Sequence, residues 1–122
     1  MKMKQRKVVL AYKALLRLSE QRLPLPVAYG LYKAKKALDS AWQFQLEQEE
    51  KMIAECKGLI DGSGSVTFPD DAARLEYVQK AMELNEMETE IEAPGVILSA
   101  DSGLNLTLNE IDALDGIVRI EG

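Results

Sequence analysis

Apolar positions near the start of the chain fall at Val8, Tyr12, Leu15 and Leu16, spaced i, i+4, i+7 and i+8, which predicts a helix from about Arg6 to Gln21. Leu23-Pro24-Leu25-Pro26 ends it, because a proline inside a helix removes a donor and clashes with the preceding turn. Pro26 fits the first turn of a second helix, where a missing N–H costs nothing, and no proline follows until Pro69. Ala28, Leu31, Leu38, Trp42, Leu46, Ile53 and Cys56 then recur at threes, fours and sevens, Glu47 to Lys51 keep the middle wet, and Gly58 supplies a C-terminal stop. A helix from Pro26 to Lys57 is about 48 Å long at 1.5 Å per residue. A compact chain of this size has a radius of gyration of only about 14 Å. Such a rod overhangs its own domain, so its distal part is expected to pack against another copy, giving a homo-oligomer with antiparallel helices. The alternative is a kink between Gln45 and Glu50, where neither proline nor glycine supplies a cause.

Beyond the rod, Asp61-Gly62-Ser63-Gly64 reads as a turn and Ser65 to Phe68 as a short strand. Asp70 can cap a third helix reaching about Asn85, with Leu75, Val78 and Met82 on its inner face. The period then drops to two: Met87, Thr89, Ile91 and Ala93 alternate with Glu88, Glu90 and Glu92, as in a strand with one buried and one acidic face. Pro94-Gly95 bends this strand and Val96-Ile97-Leu98 continues it. Thr107 and Glu110 form a capping box opening a helix to about Leu114, and after Asp115-Gly116 a last strand covers Ile117 to Ile120. The expectation is one mainly helical α+β domain over residues 1–122. Residues 1–58 make a helical hairpin with one long helix, and residues 59–122 a strand, third helix, strand, short helix and strand with a small antiparallel sheet.

Composition agrees with that outline. A chain of 122 residues, 47% hydrophobic, can build one core, and with 6% aromatic residues that core is mainly aliphatic, which favours helices. The basic start is followed by an apolar segment that Lys13 and Arg17 interrupt, so it is not a signal peptide, and no run approaches the roughly 20 apolar residues of a membrane span. Cys56 is alone, which excludes an intramolecular disulfide and fits a buried small hydrophobe in a reducing compartment. A cytoplasmic location follows as the expectation. The net charge of −5 conceals a division: residues 1–37 carry ten Lys or Arg against Glu20 alone, a balance of +9, whereas residues 38–122 carry five basic and nineteen acidic residues, a balance of −14. That asymmetry points to an anionic partner, to self-association of basic with acidic segments, or simply to a solvated basic helix face.

Histidine is absent, so Ser-His-Asp and Cys-His nucleophile systems are excluded and catalysis is not expected. No cofactor is implied. Glu88, Glu90 and Glu92 point one way along a strand without a second ligand group, which argues against a metal site. Gly62 and Gly64 lack the Lys-Ser or Lys-Thr of a phosphate loop and read as a turn. The strongest candidate site is on the second helix, where Tyr29, Tyr32, Lys33 and Lys36 stand at i, i+3, i+4 and i+7 on the side away from Leu31 and Leu38. Lys13 and Arg17 on the first helix could border it across the proline turn. Two rings and several cations suit an aromatic anion such as a nucleotide. The competing explanation is that the tyrosines pack against the first helix or a neighbouring subunit while the lysines lie in water. Nothing resembles a helix-turn-helix, and with a pI near 4.8 duplex nucleic acid is not an expected partner.

The order of elements carries one resemblance. Leu25-Pro26-Val27-Ala28-Tyr29-Gly30-Leu31-Tyr32-Lys33 leads into the long acidic helix after a basic first helix, and a Gly-rich turn precedes a short strand. Glu83 to Ile91 and Leu106-Thr107-Leu108-Asn109-Glu110-Ile111-Asp112-Ala113-Leu114 follow. Together they resemble a family of small phage and prophage proteins classed only as a domain of unknown function. The resemblance implies a bacteriophage-encoded protein made in the bacterial cytoplasm, and it brings no assigned catalytic or binding residue. Two functions are then expected. One is an anti-defence accessory protein that sequesters a nucleotide-type signal at the tyrosine-bearing face. The other is a structural or assembly protein that contacts a host or virion protein.

Overall fold

The computed structural model describes residues 1–92, 94–99 and 101–121. Its elements are β1 (Lys2–Lys4), α1 (Gln5–Leu18), α2 (Leu25–Glu55), β2 (Leu59–Ile60), β3 (Val66–Thr67), α3 (Asp71–Glu86), β4 (Glu88–Glu90), β5 (Val96–Ser99), α4 (Leu108–Leu114) and β6 (Val118–Glu121). The mainly helical α+β architecture is the one the periodicities predict.

The spine is α2, a single helix of 31 residues with proline at its first turn and no interruption between Gln45 and Glu50. Its first half is covered by α1. Val8, Leu15 and Leu18 on α1 and Leu31, Ala34 and Leu38 on α2 are buried, each large aliphatic side chain contributing roughly 1.5–3 kcal/mol, while Tyr12 stacks on Trp42 at 4.5 Å between centroids. Leu16, placed on the same stripe by its spacing, is instead partly exposed at the stripe's edge. The second half of α2 is covered by α3 and the β2–β3 hairpin: Met52, Cys56 and Leu84 are buried, Lys80 pairs with Glu55 at 2.7 Å, and Phe68 meets Tyr77 at 5.0 Å between centroids. The overhang expected from the length of α2 is therefore closed within one chain, and that length by itself does not demand a second copy.

The rotation of α3 departs from expectation. Its half-buried and buried positions are Ala73, Tyr77, Lys80, Ala81, Leu84 and Asn85, while Leu75, Val78 and Met82, predicted to face inward, are 53%, 40% and 63% exposed. Both sets recur at helical spacing. The Tyr77 contact with Phe68 and the Lys80 bond to Glu55 go with the first set, so the second forms an apolar stripe on the outside.

Among the described residues, three separate two-stranded ladders replace the single small sheet: β1–β4 and β2–β3 are antiparallel, β5–β6 is parallel. β5 does not extend β4; the connection through α4 supplies the crossover that a parallel pair needs. Ala93, the last position of the predicted alternating face, lies outside the described residues, and Met87 at its start is exposed, leaving Thr89 and Ile91 to face inward. The unforeseen strand is β1, whose register sets Lys2 opposite Glu90 and Lys4 opposite Glu88. Lys4 also reaches Glu86 at 2.6 Å and Arg6 reaches the same carboxylate at 3.6 Å. Part of the basic segment thus meets acidic side chains of its own chain, Glu86 at the end of α3 through ion pairs and Glu88 and Glu90 on β4 through register.

Where these parts join, a side-chain chain of hydrogen bonds crosses the core. Gln5 is fully buried; its Nε2 donates to the Ala41 carbonyl and to Gln45 Oε1, both at 3.2 Å, and its Oε1 accepts from Thr89 Oγ1 at 2.9 Å. Gln45 in turn donates to Glu49 Oε1 at 2.8 Å, and the Gln5 backbone N–H donates to the Met87 carbonyl at 2.9 Å. Gln5→Leu should lower unfolding free energy by about 2 kcal/mol through groups left unpaired. The Gln5→Leu, Gln45→Leu double variant should be less destabilised than the sum of its singles by about 1 kcal/mol in urea unfolding. Additivity would show that the two amides are not coupled.

The end of α2 is a Schellman closure, with Gly58 N–H donating to Ile53 O at 2.8 Å and Lys57 N–H to Ala54 O at 3.1 Å. The left-handed position is Lys57, at φ 57°, and not the glycine. Gly58 serves close approach: an added Cβ would lie 2.9 Å from both Ile53 Cγ2 and Phe68 Cε1. Adjacent substitutions should therefore act oppositely in thermal unfolding, Lys57→Gly stabilising by roughly 0.5–1 kcal/mol and Gly58→Ala destabilising.

Candidate functional site

The first turns of α2 present a face that the core leaves bare. Leu31 and Leu38 enter the core, and Gly30 lets α2 approach β5 so closely that a Cβ would stand 3.1 Å from Leu98 and 3.2 Å from Val96. With those sides occupied, Tyr29 and Tyr32 project outward, 59% and 56% exposed. Their rings are near-parallel, 6.3 Å apart between centroids at 23°. Lys33 Nζ lies 5.8 Å from the Tyr29 ring and Lys36 Nζ 5.9 Å from the Tyr32 ring, within cation–π range. Neither ammonium has an acidic partner among the described residues.

Beside this face lies an open groove of about 310 Å³ between Tyr32, Lys33 and Lys36 on α2 and Glu92 and Pro94 beyond β4. Glu92 is the one acid on its wall, so an anion is better placed toward Tyr29 than toward the far side. On the other flank, Tyr32 and Lys35 border a recess of about 180 Å³ floored by Leu15, Leu23 and Leu31. Lys35, which spacing arguments passed over, stands 5.7 Å above the Tyr12 ring.

The two α1 residues assigned to this face do not form part of it. Arg17 donates through Nε and Nη2 to the Glu110 carboxylate, and through Nη2 to the Asn105 carbonyl at 2.9 Å. α2 lies along the flank of α1 that carries Tyr12 and Leu15, whereas Arg17 is turned toward α4; Lys13, one turn earlier, is exposed. Glu110 is the acid of the capping box, accepting the Thr107 N–H at 2.9 Å while its own N–H donates to Thr107 Oγ1 at 3.1 Å. The Arg17 hydrogen bond, opposing the effect of burial and aided by Thr107, holds the Glu110 carboxyl down at about 2. Arg17 is a structural clamp, and the candidate site reduces to four residues of α2.

Elsewhere the chemistry is accounted for. The Asp61 carboxylate accepts from the N–H groups of Ser63 and Ser65 at 2.8 and 3.0 Å, filling the amides that a phosphate would need in a Gly-rich loop. Cys56 is buried. Among the described residues no group of three or more His, Cys, Asp or Glu could hold a metal ion, and no helix is long and apolar enough to cross a membrane. Compared with models of protein families, with characterised proteins and with solved structures, the chain matches none.

Because the Glu110 carboxyl is depressed in the folded state, its contribution to stability is fully present above the unfolded carboxyl range, about 4.3, and is lost as pH falls through that range toward 2. Glu110→Gln should lower stability at neutral pH, and the difference between wild type and variant in urea unfolding should shrink between pH 5 and pH 2. A pH-independent difference would place the role of Glu110 in packing alone.

Proposed function

We propose that this protein is a non-enzymatic binding protein that takes an anionic, nucleotide-type ligand at the Tyr29, Tyr32, Lys33 and Lys36 face. The supporting observation is the pair of exposed, near-parallel rings with an ammonium within 6 Å of each. Lys4 and Arg6 near the start of the chain and Arg17 on the α4 flank, by contrast, are engaged by Glu86 and Glu110. A base stacks on a phenol ring while an adjacent ammonium meets a phosphate, and neither contact requires a catalytic group. From the resemblance in residues 25–33, 83–91 and 106–114, the setting is a bacteriophage product in the bacterial cytoplasm, where sequestering a nucleotide-derived immune signal is an anti-defence role.

A second reading, a structural or assembly protein contacting a host or virion protein in phage morphogenesis, is favoured by the exposed stripe of Leu75, Val78 and Met82 on α3. One experiment separates them. Linear and cyclic nucleotides should raise the melting temperature by several degrees at saturating concentration, Tyr29→Ala with Lys33→Ala should abolish the shift, and Met82→Glu should leave it intact. No shift across the panel, with co-sedimentation of wild type but not of Met82→Glu with virions, favours assembly.

A further inference from the structure

β5 and β6 form a parallel ladder of only two strands, with Val96 opposite Val118, Ile97 opposite Arg119, Leu98 opposite Ile120 and Ser99 opposite Glu121. Parallel pairs are normally found inside larger sheets, and an isolated pair of strands is marginal in water. β5 is the strand seated on α2 through Gly30, and its inward residues Val96 and Leu98 are 6% and 5% exposed. On β6 the burial fades from Val118 at 8% to Ile120 at 42%. β6 is therefore the outer strand, and among the described residues its outer edge has no ladder partner.

Natural edge strands are guarded by shortness, charged side chains, proline or bulges. β6 is short and charged, but it has no proline and its charges are of both signs, so they do not repel a second copy of the strand. Its outward pair, Arg119 and Glu121, is of opposite sign, and at 3.0 Å the two cancel each other. Alongside, an open groove of about 700 Å³ is lined chiefly by apolar side chains, among them Ile97, Ile111, Leu114, Ile117 and Ile120. Ile97 and Ile111 are 58% and 45% exposed.

We propose that a second copy of this chain covers this edge, β6 pairing antiparallel with β6 of the partner about a two-fold axis at Ile120. The charge pattern selects that occupant and that register. Residues directly opposite across an antiparallel pair lie on one face, with Cβ atoms about 5 Å apart. An axis at Ile120 sets Arg119 against the partner's Glu121 and Glu121 against the partner's Arg119, so the edge is complementary to itself. The same axis brings the two half-exposed Ile120 side chains together and completes a four-stranded sheet, in the order β5, β6, β6, β5, over the apolar groove. The contact is isologous, as closed dimers require. It is small for a permanent interface, so the dimer depends on concentration. It is made by an edge remote in sequence from the tyrosine face and does not rest on the function proposed above.

Sedimentation velocity on the full chain, from micromolar to millimolar concentration, tests it. Wild type should associate to a dimer. Arg119→Glu and Glu121→Arg each set two like-charged pairs across the axis and should weaken association at least ten-fold, while the double variant R119E/E121R restores opposite pairs and should return to within about three-fold of wild type. Arg119 is 74% exposed, so circular dichroism of the single variants should match wild type. A monomer throughout the range, a dimer indifferent to either single swap, or a double variant that stays weak would each overturn the proposal. A dimer broken by Val78→Glu but not by the charge swaps would move the interface to α3 and overturn it as well.

Discussion

The buried amide of Gln5 holds together parts of the chain that have little else in common. It stands at the first position of α1, where a helix N-terminus ordinarily has unpaired N–H groups, and its own backbone N–H is taken by the Met87 carbonyl. Its side chain meets α2 at Ala41 and Gln45 and β4 at Thr89. That is the level along α2 where the cover provided by α1 gives way to the cover provided by α3. A buried amide has direction and a fixed count of partners, so a shift of α2 by one turn relative to α1 would leave several groups unpaired at about 1–3 kcal/mol each. Leu15, Leu18 and Leu38 supply more of the driving force, yet apolar contacts alone tolerate such a slide far better. The polar bridge sets the register and the aliphatic core sets the depth of the energy well.

That division explains what was legible in the sequence. Elements specified by neighbours in sequence could be read: the unbroken α2 from its proline and periodicity, α3 from the Asp70 cap that accepts the Ala73 N–H, and α4 from the Thr107 and Glu110 box. Features specified across the fold could not. Lys2-Met3-Lys4 has no apolar run and becomes a strand only because the acidic alternation some ninety residues later offers it a partner. α3 carries two apolar stripes of similar spacing, and which one turns inward is decided by Phe68 and Glu55, outside the helix. Lys57 holds a left-handed conformation that its residue type disfavours, beside a glycine that spacing alone would have chosen for the task.

The candidate site was legible to the extent that it lies on one helix. Tyr29, Tyr32, Lys33 and Lys36 share a face by spacing, and the fold leaves that face open because Gly30 and Leu31 direct the other sides of α2 to β5 and the core. The extension of the site to Lys13 and Arg17 needed knowledge of where α1 lies around α2, and of a Glu110 partner brought in by α4. A basic N-terminal segment likewise suggested a partner of opposite charge, and for Lys4, Arg6 and Arg17 that partner is a carboxylate of the same chain, Glu86 or Glu110. Charge asymmetry along a sequence is therefore a weak guide to surface potential whenever the segments are able to pair with each other. Among the cations without a salt-bridge partner, Lys33 and Lys36 are distinguished by the exposed tyrosine rings beside them.

Self-association also changes its physical basis once the chain is folded. A rod longer than its domain suggested helices lying against a second copy, but α1 packs on the first half of α2 and α3 on the second, and buried residues run from Val27 to Met52 along it. An element left open among the described residues is instead a two-stranded parallel pair, with one strand seated on α2 and the other outside. Backbone groups on such an edge are satisfied by water in the monomer, so they do not by themselves force association. They permit it, and the side chains decide the partner: an edge reading Val118-Arg119-Ile120-Glu121 matches its own reversed copy in both charge and apolarity, whereas a foreign strand would match it only by coincidence. For so short an element, self-complementarity restricts the choice of occupant more strongly than size does.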